Sequence, residues 1–136
     1  MKLSKVPYAE LNSKQKEIFN FQKVAALLAD YGFNCIKLAD DWQGADFLAY
    51  HVNGRETLRV QLKSRLTINK KYLDKDLFIA FPLGTLWYLV KHDALVKVVG
   101  KTTEWLRSES WTKEGGYSSA APNRNLVMAL ARNALE

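Results

Sequence analysis

Three residues whose chemistry suits a metal-dependent reaction stand on neighbouring segments of the sequence. Fourteen residues separate Asp46 from Gln61, and Lys63 follows two positions later. A carboxylate and an amide carbonyl offer hard oxygen ligands to Mg²⁺ or Mn²⁺, and an ammonium group orients water and neutralises a phosphate. If the chain brings these side chains together, they suit the metal-dependent hydrolysis of a phosphodiester bond.

The sequence between these residues predicts how they meet. Asn53-Gly54 separates two segments rich in β-branched and aromatic residues, which is a strong signal for a β-hairpin. The turn folds the second strand back on the first, so we expect Asp46 to lie beside Gln61 and Lys63. Alternation along the second of these strands places four polar side chains on one face: Arg59, Gln61, Lys63 and Arg65. An edge strand with one face in water would show the same alternation without any function.

The remaining elements indicate a mixed α/β domain. Asn12 or Ser13 can cap a helix that ends at Gly32. Its predicted apolar stripe consists of Ile18, Phe21, Val24 or Ala25, Leu28 and Tyr31. Predicted strands follow at FNCIKL, GADFLAYH, TLRVQLKSRLTI, DLFIAFP and TLWYLVK, with a short helix near Thr103 to Ser108 and a C-terminal helix after Pro122. We therefore expect a central mixed sheet of about five strands with helices on both faces.

Length and composition indicate one folded domain spanning residues 1–136. The chain has 48% hydrophobic and 25% charged residues, which is typical of globular domains and excludes a disordered chain. A single cysteine excludes a disulfide scaffold, and no Cys or His pair has zinc-finger spacing. The sequence shows neither a signal peptide nor a membrane span, which predicts a cytoplasmic location. We expect a motif-bearing core at about 12–98 and a C-terminal helical cap at about 99–136.

The excess positive charge is concentrated in one part of the chain. The formal net charge is +6, and residues 55–75 alone contain seven basic and two acidic residues, a local net charge of +5. Such a segment favours a polyanion such as DNA, although a solvated basic face is the plain alternative. The residues expected to bind phosphates are Arg59, Arg65, Lys70 and Lys71.

The spacing of Asp46 and Gln61-Leu62-Lys63, after a helix and within a hairpin, resembles the signature of the PD-(D/E)XK nuclease superfamily. Gln61-x-Lys63 is the only place where Asp, Glu or Gln stands two residues before a lysine. Two departures are visible, because Ala45 replaces the Pro of that signature and Gln61 replaces its usual acid. The resemblance implies a restriction-endonuclease-like fold with an αβββαβ core.

The same resemblance implies a set of site residues. In the branch similar to Holliday-junction resolvases, a glutamate on the first helix completes the metal site, and Glu17 matches it by position, 29 residues before Asp46. The implied catalytic set is Glu17, Asp46, Gln61 and Lys63, with Mg²⁺ or Mn²⁺ bound by the first three. The resemblance further implies DNA as the substrate and a homodimer, with any sequence preference supplied by loops or by a protein partner.

Two functional hypotheses follow. The first is a metal-dependent DNA endonuclease, and the second is a nuclease-like domain that has lost cleavage and binds nucleic acid or a protein partner. The neutral amide of Gln61 motivates the second hypothesis, because it binds a divalent cation more weakly than a carboxylate does. Asp40 and Asp41 are candidates for a further metal ligand or for simple loop solvation.

Overall fold

A six-stranded mixed sheet forms the centre of the structure, a computed structural model that describes residues 1–136. In spatial order its strands are β1 (Phe33–Trp42), β2 (Ala45–His51), β3 (Thr57–Leu62), β5 (Leu77–Leu83), β6 (Leu86–Lys91) and β8 (Ala134–Leu135). A separate two-stranded sheet pairs β4 (Leu66–Asn69) with β7 (Gly116–Ser119). Neighbouring strands are antiparallel except β3 and β5, which run parallel.

Helices cover both faces of the central sheet, which confirms the predicted mixed α/β class. The helices are α1 (Ser13–Ala29), α2 (His92–Thr102), α3 (Glu109–Thr112) and α4 (Arg124–Ala129). On one face, Val24 and Leu28 of α1 pack against Phe47 and Val60 of the sheet. The other face is covered by α2, α3, α4 and the small sheet. Each face therefore has its own apolar core.

Helix α1 begins with a reciprocal cap. The Gln15 N–H donates to the Asn12 side chain at 2.9 Å, and the Asn12 N–H donates to the Gln15 side chain at 2.9 Å. This capping box satisfies two N–H groups that the first turn would otherwise leave free. The predicted apolar stripe is wrong at its ends, because Ile18 and Tyr31 are 40% and 43% exposed. The sheet reaches only the middle of the helix.

Two tight turns set the order of the first three strands. Gln43 and Gly44 both have positive φ and connect β1 to β2, which suits a type I′ hairpin. The predicted Asn53-Gly54 hairpin between β2 and β3 is confirmed, with the Gly54 N–H donating to the His51 carbonyl at 3.0 Å. The sequence therefore forms the expected meander of three antiparallel strands.

The predicted third strand is wrong in its second half. It ends at Leu62, and the chain bends before it continues as β4, which belongs to the other sheet. The partner of β4 is β7, about fifty residues further along the chain. Arg65 therefore does not share a strand face with Gln61. Its guanidinium instead donates to the Ser118 carbonyl at 3.0 Å.

The C-terminal third also differs from the prediction. Helix α2 begins at His92, where no helix was predicted, and Thr103 to Ser108 contains only a 3₁₀ turn at Trp105–Arg107. Three valines and a glycine weaken the intrinsic helix propensity of α2, which packing of Leu95 and Val99 overrides. The segment expected to be a helical cap also holds β7 and β8. None of the helices is both long and apolar enough to span a bilayer.

Gly32 ends α1 where a side chain would be costly, which gives a stability test. Its φ is +86°, and an added Cβ would lie 2.8 Å from His51 Nε2, whereas Gly54 has φ +75° and open space around it. We expect Gly54→Ala to cost about 1–2 kcal/mol from backbone strain alone. Gly32→Ala should cost about 1 kcal/mol more, because His51 must also give up its 3.1 Å contact with the Tyr31 carbonyl. Urea unfolding measures both, and equal losses would contradict the role given to His51.

Candidate active site

The pairing of β2 with β3 brings Asp46 and Gln61 together. The register pairs Phe47 with Val60, and one step further along the same ladder Asp46 faces Gln61. The Leu62 backbone N–H donates to Asp46 Oδ2 at 2.8 Å, which fixes the carboxylate at the end of β3. Side chains opposite one another in a sheet share a face, so Asp46 and Gln61 project toward the same side.

Gln61 carries the most unusual atom of the structure. The residue is only 8% exposed, and its Oε1 is the one buried side-chain polar atom without a hydrogen-bond partner. An unsatisfied buried acceptor costs about 1–3 kcal/mol, so native proteins rarely leave one without a reason. The oxygen of Gln61 is therefore a candidate acceptor for a partner outside the polypeptide, such as a bound cation or a water molecule.

Asp46 lies in an environment that disfavours its charge. Burial raises the pKa of the Asp46 carboxyl, and the neighbouring charge of Asp41 and the charge of Glu17 act in the same direction. The hydrogen bond from the Leu62 N–H and the charge of Lys63 oppose this rise without cancelling it. A cation bound at Asp46 would relieve the electrostatic cost of the carboxylate.

Lys63 follows Gln61 by two residues and is held close to the same place. Its backbone N–H donates to the Ala80 carbonyl at 2.9 Å, so the chain remains attached to the sheet beyond the end of β3. Its ammonium lies 5.6 Å from the centre of the Tyr72 ring, a cation–π arrangement. No carboxylate forms an ion pair with Lys63, so its charge is available to a ligand.

Glu17 is held by Lys37 of β1. The Lys37 ammonium contacts the Glu17 carboxylate at 3.1 Å, and this hydrogen bond lowers the pKa of Glu17. The Glu17 side chain is 52% exposed at the start of α1. The charge of Glu17 contributes to the raised pKa of Asp46, but the Glu17 carboxylate itself is hydrogen-bonded to Lys37.

The four basic residues predicted to bind phosphates fall into two pairs. Arg59 donates to Gln43 at 2.6 Å and lies 3.7 Å from Asp76, and Arg65 is bonded to β7. Their guanidinium groups therefore hold loops in place. Lys70 and Lys71 are exposed and form no ion pair, and their ammonium groups lie over the rings of Trp111 and Tyr72 at 5.5 Å and 5.2 Å. These two lysines remain free for an anion.

The donor set around Asp46 suits a hard divalent cation that keeps much of its water. Asp46 offers its second oxygen and Gln61 offers Oε1, and both are oxygen ligands. No group of three or more His, Cys, Asp or Glu side chains converges in the structure, which excludes a dedicated zinc-type cage. Mg²⁺ commonly uses one or two protein oxygens together with water and substrate phosphate, and that pattern fits these residues.

Sequence reasoning missed two residues of the site. Tyr72 is 4% exposed and packs edge-on against His92, which presents its ring to Lys63 and Lys71. Lys37 neutralises Glu17 from β1, a segment that the sequence predicts only as a strand. Neither residue stands in a recognisable motif, so the sequence offered no signal. Asp40 and Asp41, candidates for a metal ligand or for loop solvation, lie in β1 and not in a loop, and Asp41 lines a cleft together with Tyr72 and Lys71.

The raised pKa of Asp46 predicts an effect of pH on stability. In Asp46→Asn the amide oxygen still accepts the Leu62 N–H, while the charge is removed. The wild type should lose stability relative to this variant as pH rises from about 4, the ordinary pKa of aspartate, to the higher pKa of Asp46, and the difference should then stay constant. Urea unfolding in chelator between pH 4 and 8 measures it. A variant that gains nothing would show that Asp46 is solvated like a surface carboxylate.

The unpartnered oxygen of Gln61 predicts a second effect. Gln61→Glu places another carboxylate beside Asp46, so the protein in chelator should lose on the order of a few kcal/mol. At a fixed concentration, Mg²⁺ or Mn²⁺ should stabilise this variant more than the wild type, because the added carboxylate lowers the dissociation constant; a site at 100 times its dissociation constant gains about 2.7 kcal/mol. Gln22→Glu on the exposed side of α1 is the matched control and should show neither effect. Equal responses of both variants to the cation would contradict a metal site at Gln61.

Comparisons by sequence find no relative of this chain. No protein-family model matches it, and no curated protein matches it. The remaining comparison is therefore one of structure.

Two solved structures resemble this chain. Hjc, a Holliday junction resolvase from Archaeoglobus fulgidus, is 19% identical, with a TM-score of 0.47 over 57% of this chain and 74% of that protein. The bacterial homing endonuclease I-Ssp6803I is 15% identical, with a TM-score of 0.51 over 83% of this chain and 78% of that protein. At this identity the second likeness establishes the fold alone, and it confirms the expected restriction-endonuclease-like fold.

Proposed function

We propose that this protein is a metal-dependent DNA endonuclease that hydrolyses phosphodiester bonds. The observation that carries the proposal is the buried, unpartnered Gln61 oxygen on β3, the strand that pairs with the one bearing the half-buried Asp46, with the unpaired ammonium of Lys63 two residues further on. If these residues had a purely structural role, we would expect the Gln61 oxygen to have a hydrogen-bond donor and the Lys63 ammonium to form an ion pair. The shared fold with a protein described as a homing endonuclease supports the same activity.

Each residue has a proposed role. Asp46 and Gln61 would hold Mg²⁺ or Mn²⁺, which when bound supplies Lewis-acid polarisation of a phosphate oxygen and lowers the pKa of water. Lys63 orients the attacking water and neutralises negative charge that grows on the phosphate oxygens. Tyr72 positions the Lys63 ammonium. Glu17, more exposed and paired with Lys37, completes the proposed set through water.

The proposed substrate is DNA because several lysines without an ion-pair partner lie around this site. Lys70 and Lys71 follow β4 in a 3₁₀ turn that also carries Tyr72. The ammonium groups of Lys63 and Lys71 lie over the Tyr72 ring, and the ammonium group of Lys70 lies over the Trp111 ring. Phosphate neutralisation by such lysines predicts an affinity that falls steeply as salt rises. Arg59 and Arg65 stabilise the structure around this surface, since their guanidinium groups donate to Gln43 and to the Ser118 carbonyl.

The neutral side chain of Gln61 favours a second candidate function. A chain that keeps this fold without cleavage would bind nucleic acid, or a protein partner, through the same basic surface. The two functions separate on metal dependence, because a binder would hold DNA equally well in Mg²⁺ and in chelator.

A cleavage assay tests the proposal directly. Labelled duplex, branched and single-stranded DNAs are incubated with Mg²⁺ or Mn²⁺ and the wild type, Asp46→Ala, Lys63→Ala or the exposed control Lys97→Ala. We expect cutting that chelator and Asp46→Ala abolish, and that Lys63→Ala lowers by about 10²–10³-fold. Lys97→Ala should cut like the wild type. Salt-sensitive binding without cutting by any variant would establish the binding domain instead.

A further inference from the structure

A polar cleft of about 270 Å³ opens on the α1 side of the proposed active site. It lies between an N-terminal 3₁₀ turn at Tyr8–Glu10, the first turns of α1 and the end of β3. Six of its residues carry hydrogen-bond donors: Tyr8, Ser13, Lys16, Asn20, Lys63 and Ser64. Lys63 belongs both to this cleft and to the surroundings of Asp46, so a ligand in the cleft would be a neighbour of the reacting group.

The hydrogen-bond donors of the cleft are held in place, and several of them have no acceptor in the protein. Asn20 is 8% exposed, and its Nδ2 donates to the Tyr8 hydroxyl oxygen at 3.0 Å. This bond leaves the phenolic hydrogen of Tyr8 and the second amide hydrogen of Asn20 without a protein acceptor. The Tyr8 ring is fixed by an edge-on contact with Phe19 at 5.3 Å. A buried amide and a fixed phenol are thus preorganised as donors.

The charge of the cleft favours an anion. Lys16 forms no ion pair, and its ammonium lies 5.4 Å from the centre of the Tyr8 ring. Lys63 is also unpaired. The only acid of the cleft, Glu17, is neutralised from the neighbouring strand by Lys37 at 3.1 Å. The unpaired Lys16 ammonium, together with several free N–H and O–H donors, matches a phosphate group.

We propose that this cleft binds a phosphate of the DNA backbone adjacent to the phosphate that is cut. The inference rests on the proposed function, because it takes the ligand from the same DNA strand that enters the site at Asp46. It adds a role for the N-terminal 3₁₀ turn and for Lys16, which would position the strand from the side opposite to Lys70 and Lys71. Lys63 links the two phosphates.

Inorganic phosphate tests the cleft without DNA. Amide chemical shifts are followed by NMR during a phosphate titration at constant ionic strength, for wild type, Lys16→Ala, Lys16→Arg and Lys23→Ala. Lys23 is the matched control, since it lies on the same helix over Phe19 and outside this cleft. We expect saturable shifts at Tyr8, Asn20 and Ser64, weakened about tenfold or more by Lys16→Ala and largely retained in Lys16→Arg and Lys23→Ala. No saturable shift in the wild type would overturn the proposal.

Single methylphosphonate substitutions then test the backbone assignment. Each removes the charge of one phosphate, and binding is measured by fluorescence anisotropy in chelator, which prevents cleavage. The wild type and Lys23→Ala should lose affinity at one position next to the cut, and Lys16→Ala should be insensitive there. An unchanged profile in Lys16→Ala would overturn this inference while leaving the nuclease intact. A wild type that neither binds nor cuts DNA in Mg²⁺ or Mn²⁺ would overturn the proposed function, and the phosphate titration would then decide whether the cleft is an anion site.

Discussion

The hydrogen-bonded register between β2 and β3 places every group on which the proposed chemistry depends. Phe47 faces Val60 in the α1-side core, and the next pair along the ladder is Asp46 and Gln61 on the opposite face. A slip of one residue would turn Phe47 toward solvent and Asp46 into the apolar core. The burial of Phe47 and Val60 therefore specifies the polar pair. The Leu62 N–H bond to Asp46 then orients the carboxylate.

The environment of Asp46 and Gln61 lowers the stability of the fold but suits the binding of a cation. Asp46 is half-buried, which raises its pKa, and the Gln61 oxygen has no hydrogen-bond donor. Both costs are of the kind that a bound cation removes, because it gives the carboxylate a counter-charge and the amide oxygen a partner. The large apolar cores on both faces of the sheet hold the pair in this geometry. Local instability at functional sites is sustained in this way by packing elsewhere.

The two faces of the sheet contribute different parts of the surface around Asp46. The α1 side brings Glu17, Lys16 and Asn20, and Lys37 of β1 neutralises the one acid among them. The opposite side brings Tyr72 and the turn with Lys70 and Lys71, which the buried His92 supports by accepting the Asn69 N–H at 3.1 Å. Burial lowers the pKa of His92, so its ring stays neutral and keeps this acceptor at neutral pH. Lys63 lies where the two parts meet.

The sequence by itself determined the elements whose signals are local. The cap at Asn12, the Asn53-Gly54 turn and the alternation of side chains are short-range patterns, and they sufficed to predict α1 and the hairpin of β2 and β3. Only the tertiary structure decided that β4 leaves the main sheet, that Arg59 and Arg65 serve the fold, and that Tyr72 and Lys37 hold Lys63 and Glu17. These outcomes depend on partners that are distant in sequence, as β7 is from β4. Such contacts produce no periodicity or motif within either segment, so neither segment predicts them by itself.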